Sequence, residues 1–338
     1  MAPPISDEPF ALDGSNRAIF DSGMHLIFAV LLISACGALA ADRPNILFVF
    51  TDDQRYDAVG VVQREQGEHG RFPWIKTPNM DRLAAEGFRF RNAFAVNSLC
   101  APSRATFLTG LYGHVNGVVN NHTSFPVDST TFATELRRAG YTTGYMGKWH
   151  MGKQLERPGF DVSASFIGQG KYFDCPIYVN GKETPSVGWV DDVATEYAID
   201  FIRNHKDKPF CLTVGFKATH GPFEPPERRK NEYEGMVARP VPNLSATAIY
   251  KTAKGQGTKK PGRNDRIPTA GKTNLGYFRC ITAADDNLGR LLAALDEAQL
   301  SDRTIVIFAS DNGYYLGEHG LGDKRSAYEE ALRIPLLL

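Results

Sequence analysis

Four short polar clusters follow apolar runs in this 338-residue chain. Asp52 and Asp53 close PNILFVFTDD, and Asp311 and Asn312 close TIVIFASDNG. Lys217 and His220 follow FCLTVGF in KATH, and Lys148 and His150 follow YTTGYM in GKWH. Asp52, Asp53, Asp311 and Asn312 are hard oxygen donors. Carboxylates packed together raise one another's pKa unless a cation sits among them. An all-oxygen set favours Ca2+ or Mg2+ over zinc. Taken singly, Asp-Asp at a strand end is equally a helix cap or turn, and Asp-Asn-Gly an ordinary turn. It is their recurrence after apolar runs that points to a cation.

A fifth cluster is NSLCAPSRATFLTG, residues 97–110. Pro102 suits a first helical turn, so Cys100 stands at or just before a helix N-terminus. Free N–H groups and the positive dipole end favour an anion there. That setting lowers a cysteine pKa, which makes a thiolate nucleophile one reading. A cysteine protease or phosphatase, however, needs no group of carboxylates and no hard cation beside its thiol.

The elements that must position these groups alternate between strands and helices. The runs 44–53, 141–146, 210–216 and 304–313 read as buried strands. Residues 77–87, with Thr77 as N-cap and Pro78 at N1, read as a helix, as do 129–140 and 273–300. Such alternation indicates a doubly wound α/β sheet. In open sheets of this kind ligands bind beyond the carboxyl ends of the strands, so the polar clusters are expected to converge. Residues 239–272 are rich in Pro, Lys and Gly without periodicity and read as a surface loop. The ending ALRIPLLL reads as a strand cut in mid-sheet.

Acidic and basic residues balance at 38 each, which gives no global field for nucleic acid or an anionic membrane. The five cysteines show no CxxC spacing, against a zinc finger or disulfide scaffold. Residues 26–40, LIFAVLLISACGALA, are too short to favour a membrane span. They read as the apolar core of an export signal with Ala38-Leu39-Ala40 as cleavage site and Met24 as candidate start. Ile33-Ser34-Ala35-Cys36 also fits a lipoprotein box, which would leave a lipid on Cys36. The expected organisation is an N-terminal extension and signal over 1–41 and a catalytic domain over 42–338, exported to the periplasm or secreted.

Cys100-Ala101-Pro102-Ser103-Arg104 resembles the C-x-P-S-R signature of the type I sulfatases, in the alkaline phosphatase superfamily. TDD, TPNMDRLAAEG, CAPSR, GYTTGYMGKWH, ATHGPFEPP and SDNGYYLGEHGLGDKR follow in that family's order. The resemblance implies an alkaline phosphatase-like fold with a mostly parallel central sheet and helices on both faces. It implies that a formylglycine-generating enzyme oxidises Cys100 to formylglycine, with Pro102 and Arg104 in the motif it reads. One hydroxyl of the hydrated aldehyde would attack sulfur, and the other would help expel sulfate. Asp52, Asp53, Asp311 and Asn312 would hold one Ca2+ together with residue 100, and Arg104 would steady that set. Lys148 and Lys324 would grip sulfate, His220 would protonate the leaving oxygen, and His150 would orient or deprotonate the diol. The run 97–121, PGFD at 158–161 and DNGYYLGEHGLGDKR look most like N-acetylglucosamine-6-sulfatases and mucin-desulfating or heparan-type sulfatases. The substrate implied is therefore a sulfated carbohydrate, with no nucleic acid partner and membrane contact only through a lipid on Cys36. His114, Asn116, Asn120 and Asn121 line a sugar pocket or form a polar surface loop, two readings of equal weight. The chain is expected to lack the family's C-terminal subdomain, so the domain reads as truncated. A phosphomonoester or phosphonate hydrolase of the same superfamily, and an inactive truncated glycan-binding protein, are the alternatives.

Overall fold

The computed structural model describes residues 43–244, 246, 248 and 273–338. The export signal, its cleavage site, Met24 and Cys36 lie outside the described residues, as does most of the expected loop 239–272. Among the described residues no helix is long and apolar enough to cross a membrane.

Eight strands form one sheet: β1 (Asn45–Thr51), β2 (Thr142–Lys148), β3 (Val162–Phe166), β4 (Ile177–Val179), β5 (Lys182–Thr184), β6 (Phe210–Gly215), β7 (Thr304–Ser310) and a C-terminal strand (Leu336–Leu337). That last strand pairs antiparallel with β7 at the head of the order, followed by β7-β1-β6-β2-β3-β4-β5. From β7 to β3 every pairing is parallel. On its other side the C-terminal strand bonds to a crossing segment: the Phe88 N–H donates to Leu338 O at 2.7 Å and the Phe90 N–H to Leu336 O at 3.0 Å.

Strand side chains alternate between faces, and β1 shows what covers each. Leu47 and Val49 enter the main core, which also takes Ile281, Leu288, Leu291 and Leu295 of one long helix. Phe48 and Phe50 pack on the opposite side with Phe107 and Phe132. Helices therefore lie on both faces, as expected. Five matter for the site: α1 (Pro78–Glu86), α2 (Cys100–Thr109), α3 (Phe132–Arg138), α4 (Val190–His205) and α5 (Leu275–Glu297).

The structure corrects three readings of these elements. Helix α3 starts at Phe132, not at 129, because Thr131 and Thr134 form a capping box there, with the Thr134 N–H on Thr131 Oγ1 at 3.1 Å. Thr77 does precede α1, but its hydroxyl oxygen accepts the Gly60 N–H at 2.8 Å, so it ties two segments together without capping its own helix. Strand β3 and helix α4 were not expected. VSASF is short and built of small residues, while α4 carried a visible signal in Asp191 and Asp192 of its first turn and Arg203 in its last.

Candidate active site

The parallel register brings the polar clusters together. Thr51 of β1 lies opposite Ser310 of β7, and Phe50 opposite Gly215 of β6, so the residues just beyond all three strands meet. The Asp52 N–H donates to Ala218 O at 2.7 Å, the Thr219 N–H returns to Asp52 O at 2.6 Å, and the Asp311 N–H donates to Thr51 O at 3.1 Å. Asp53 turns the chain with a positive φ of 64° and donates its N–H to Asp311 Oδ1 at 3.1 Å. Non-glycine residues take that conformation at a cost, which surrounding structure must offset.

Asp52, Asp53 and Asp311 are fully buried, with carboxylate oxygens within 4.8 Å of one another. Burial, with the Asp311 charge beside it, pushes the Asp53 carboxyl up to about 6 against the pull of Lys324. Cations offset the cluster. Arg104 sets Nε on Asp311 Oδ2 at 2.8 Å, Nη2 near Asp52 Oδ2 at 3.3 Å and Nη1 on the Lys148 carbonyl at 2.7 Å. Its guanidinium also lies over the Phe50 ring, 4.5 Å from the centroid. Lys148 Nζ donates to Asp52 Oδ2 and Lys324 Nζ to Asp53 Oδ1. Asn312 donates Nδ2 to Asp53 Oδ1 at 2.6 Å, while its buried Oδ1 has no hydrogen-bond partner. A buried amide oxygen without a donor, on a side chain bonded to one of three clustered carboxylates, fits a hard oxygen-seeking cation.

Cys100 is the first residue of α2 and is wholly buried. Its Sγ lies 3.1 Å from Lys324 Nζ and 3.4 Å from Asp52 Oδ1. Burial pushes the thiol up to about 12; Lys324 opposes the rise, while Asp311 and Asp53 add to it. Desolvation and two carboxylates thus work against a thiolate here, opposite in direction to the pull of the lysine and of a helix N-terminus.

His150 follows β2 in a left-handed turn of φ 60°, buried, with Nδ1 unpartnered. Burial, then the Lys148 charge, keeps its ring neutral. His220 sets Nδ1 on Gly221 O at 2.8 Å, so Nδ1 carries the proton. Its Nε2 stands 4.0 Å from Asp53 Oδ2, and burial followed by three lysine charges holds its pKa well below the usual range. A cavity of about 450 Å³ opens beside these groups, lined by Asp53, Gln169, His220, Phe223, Tyr314 and Arg325 among others.

The loop read as a possible sugar pocket mostly bonds to itself. Asn116 uses both ends of its amide on Leu111 O and the Val118 N–H, and Asn120 Oδ1 accepts the His122 N–H at 2.8 Å. Asn121 Oδ1 accepts the Ala101 N–H at 3.0 Å. His114 is exposed and stacked on Tyr112. PGFD is also structural: Asp161 Oδ2 accepts the N–H and the hydroxyl of Thr143 at 3.0 Å each, tying the loop to the start of β2.

Residues absent from the sequence reading complete the site. Both Asp191 oxygens accept backbone N–H groups, from Lys217 at 2.7 Å and Ala218 at 2.8 Å. Gln169, beyond the carboxyl end of β3, accepts from Lys148 Nζ at 2.5 Å. The strand-end rule that locates the other clusters would have located Gln169 had β3 been read as a strand.

The sulfatase family model matches residues 44–338. An N-acetylglucosamine-6-O-sulfatase of Bacteroides thetaiotaomicron is 32% identical over 383 residues, covering 94% of this chain and 67% of that protein. The iduronate 2-sulfatase of Mus musculus is 30% identical, covering 93% of this chain and 64% of its own. A solved structure of a protein in complex with its substrate D-glucosamine-2-N,6-O-disulfate superposes with a TM-score of 0.74 at 32% identity, over 87% of this chain and 70% of that one. A phosphonate monoester hydrolase of Agrobacterium radiobacter, 22% identical with a TM-score of 0.63 over 87% of this chain and 68% of its own, shares the fold. The chain spans 56% to 68% of the length of the curated relatives it matches.

Proposed function

This chain belongs to the sulfatase family, and on that premise we propose that it hydrolyses sulfate esters of carbohydrates, N-acetylglucosamine 6-sulfate or a related sulfated glucosamine in particular. One observation carries the reading: residue 100 of the CAPSR frame lies between Lys324 Nζ and Asp52 Oδ1, beside three buried carboxylates. The substrate class is supported by the glucosamine-6-sulfatase relative and by the structural match whose substrate is a glucosamine disulfate.

The proposal includes oxidation of Cys100 to formylglycine by a formylglycine-generating enzyme, and one Ca2+ held by Asp52, Asp53, Asp311 and Asn312. When present, the hydrated aldehyde supplies the nucleophilic hydroxyl and the ion supplies a Lewis acid. The chain's own residues do the rest. Lys148 and Lys324 bind the anionic ester oxygens and offset the charge that grows on them. Arg104, fixed through all three of its nitrogens, holds Asp52 and Asp311 in place. His220, protonated at Nε2, gives its proton to the leaving oxygen. An anionic ester beside Lys148, Lys324 and Lys217 cancels part of the field that depresses His220, so substrate binding favours the imidazolium. His150, kept neutral, orients the hydrated nucleophile or takes a proton from it.

Export belongs to the same proposal, supported by the apolar run and small-residue cleavage pattern of 26–40. Periplasmic or secreted protein that begins after Ala40, or a lipid on Cys36, is the expected finding; full-length protein in the cytosol would overturn it. The test of the activity is mass spectrometry of the residue-100 peptide after coexpression with a formylglycine-generating enzyme, followed by sulfate release from N-acetylglucosamine 6-sulfate. An aldehyde at 100 with sulfate release is expected. A free thiol, while a control sulfatase is converted in the same cells, would overturn the mechanism.

A further inference from the structure

We propose that Gln169 is a positioning residue for Lys148, anchored by Lys217; this rests on the sulfate-ester reading of the site. Lys148 is fully buried and reaches two acceptors, Asp52 Oδ2 and Gln169 Oε1. Asp52 is shared: the same oxygen lies 3.3 Å from Arg104 Nη2, and its carboxylate belongs to the set that fits a cation. Among the described residues, the side-chain oxygen of Gln169 accepts from Lys148 and from no second cation of this cluster.

Gln169 is itself held in place. Its carbonyl accepts from Lys217 Nζ at 3.0 Å, and that buried ammonium lies 4.7 Å from the Tyr172 ring centroid. The Tyr172 hydroxyl donates to the His220 carbonyl at 2.6 Å, and Asp191 holds the backbone of Lys217 and Ala218. The loop 167–172 thus joins the lysine that grips sulfate to the histidine that serves the leaving group. Its side chain meets the cavity, where a neutral acceptor aims the ammonium without adding a charge that repels sulfate.

The test uses the matured, calcium-loaded protein with Gln169→Met, which keeps the length of the side chain and removes the acceptor. Gln169 is half-buried, so the variant should fold. A lost hydrogen bond to a charged group corresponds to roughly a 10- to 100-fold change. The Kd for inorganic sulfate, by calorimetry, and the KM for the sulfated sugar are expected to rise together by about that factor. Lys148→Ala with Gln169→Met should be no worse than Lys148→Ala alone, within about 2-fold. A merely structural Gln169 would lower the active fraction, and so kcat, with KM and the sulfate Kd unchanged; that result overturns the proposal, as do losses that multiply in the double variant. The two readings fail separately. Turnover by wild type with an unmoved Kd in the variant sinks the positioning role alone. A shifted sulfate Kd without sugar turnover by wild type sustains the positioning role and sinks the hydrolase reading.

Discussion

Asn121 Oδ1 accepts the backbone N–H of Ala101 at 3.0 Å, and so caps the helix that begins at Cys100. Leu99, the residue before that helix, makes no side-chain cap. A side chain 20 positions downstream therefore satisfies an N–H in the turn that presents residue 100. Asn121→Ala is expected to cost about 1 kcal/mol of stability, read by denaturant unfolding. His114→Ala, an exposed change, should leave stability unaltered. Equal stability of the Asn121 variant and wild type would show that the cap contributes nothing.

Cys100→Ala should abolish sulfate release while far-ultraviolet circular dichroism stays that of the wild type. The unoxidised thiol, buried and pushed up to about 12, should also resist iodoacetamide near pH 8 in folded protein and react once the protein is unfolded. Rapid alkylation of the folded form would contradict the burial of Cys100.

The carboxylate cluster sets a pH dependence for calcium. Asp53 titrates at about 6 in the folded chain against an ordinary 3.8. Between those values the metal-free native state keeps a proton that the unfolded chain has released. Metal-free stability therefore falls as pH rises through this window. Calcium binds the ionised form, so its stabilising effect grows as pH rises past about 6. Chelation should change the melting temperature little near pH 5 and lower it near pH 7.5. Saturation at about 100 times Kd would stabilise by about 2.7 kcal/mol. Identical melting curves with and without chelator near pH 7.5 would count against the ion.

Asp191→Asn keeps the size of the side chain but turns an amide donor toward one of two backbone N–H groups. The expected loss is about 1–3 kcal/mol, with lower kcat because the segment carrying His220 loosens. Unchanged unfolding of this variant would mean that the Lys217 and Ala218 amides find other acceptors.

The chemistry of the site was legible in the sequence because most of it is local. Asp52, Asp53, Asp311 and Asn312 sit directly after apolar runs, as do Lys148, His150, Lys217 and His220, and a strand's carboxyl end is where an α/β sheet gathers ligands. The buried alternation of β1, with Leu47 and Val49 against Phe48 and Phe50, likewise follows from a near-continuous apolar run. Tertiary structure decided what those groups are held by and in which protonation state. The bonds from Asn121 to Ala101, Asp191 to Lys217 and Lys217 to Gln169 span 20, 26 and 48 positions, and nothing in the local pattern pairs one end with the other. Cys100 reads as an acidified thiol when only its helix is considered and is a suppressed one in the fold. The helix N-terminus is local, whereas burial is a property of every element packed around it, and here burial is the larger effect.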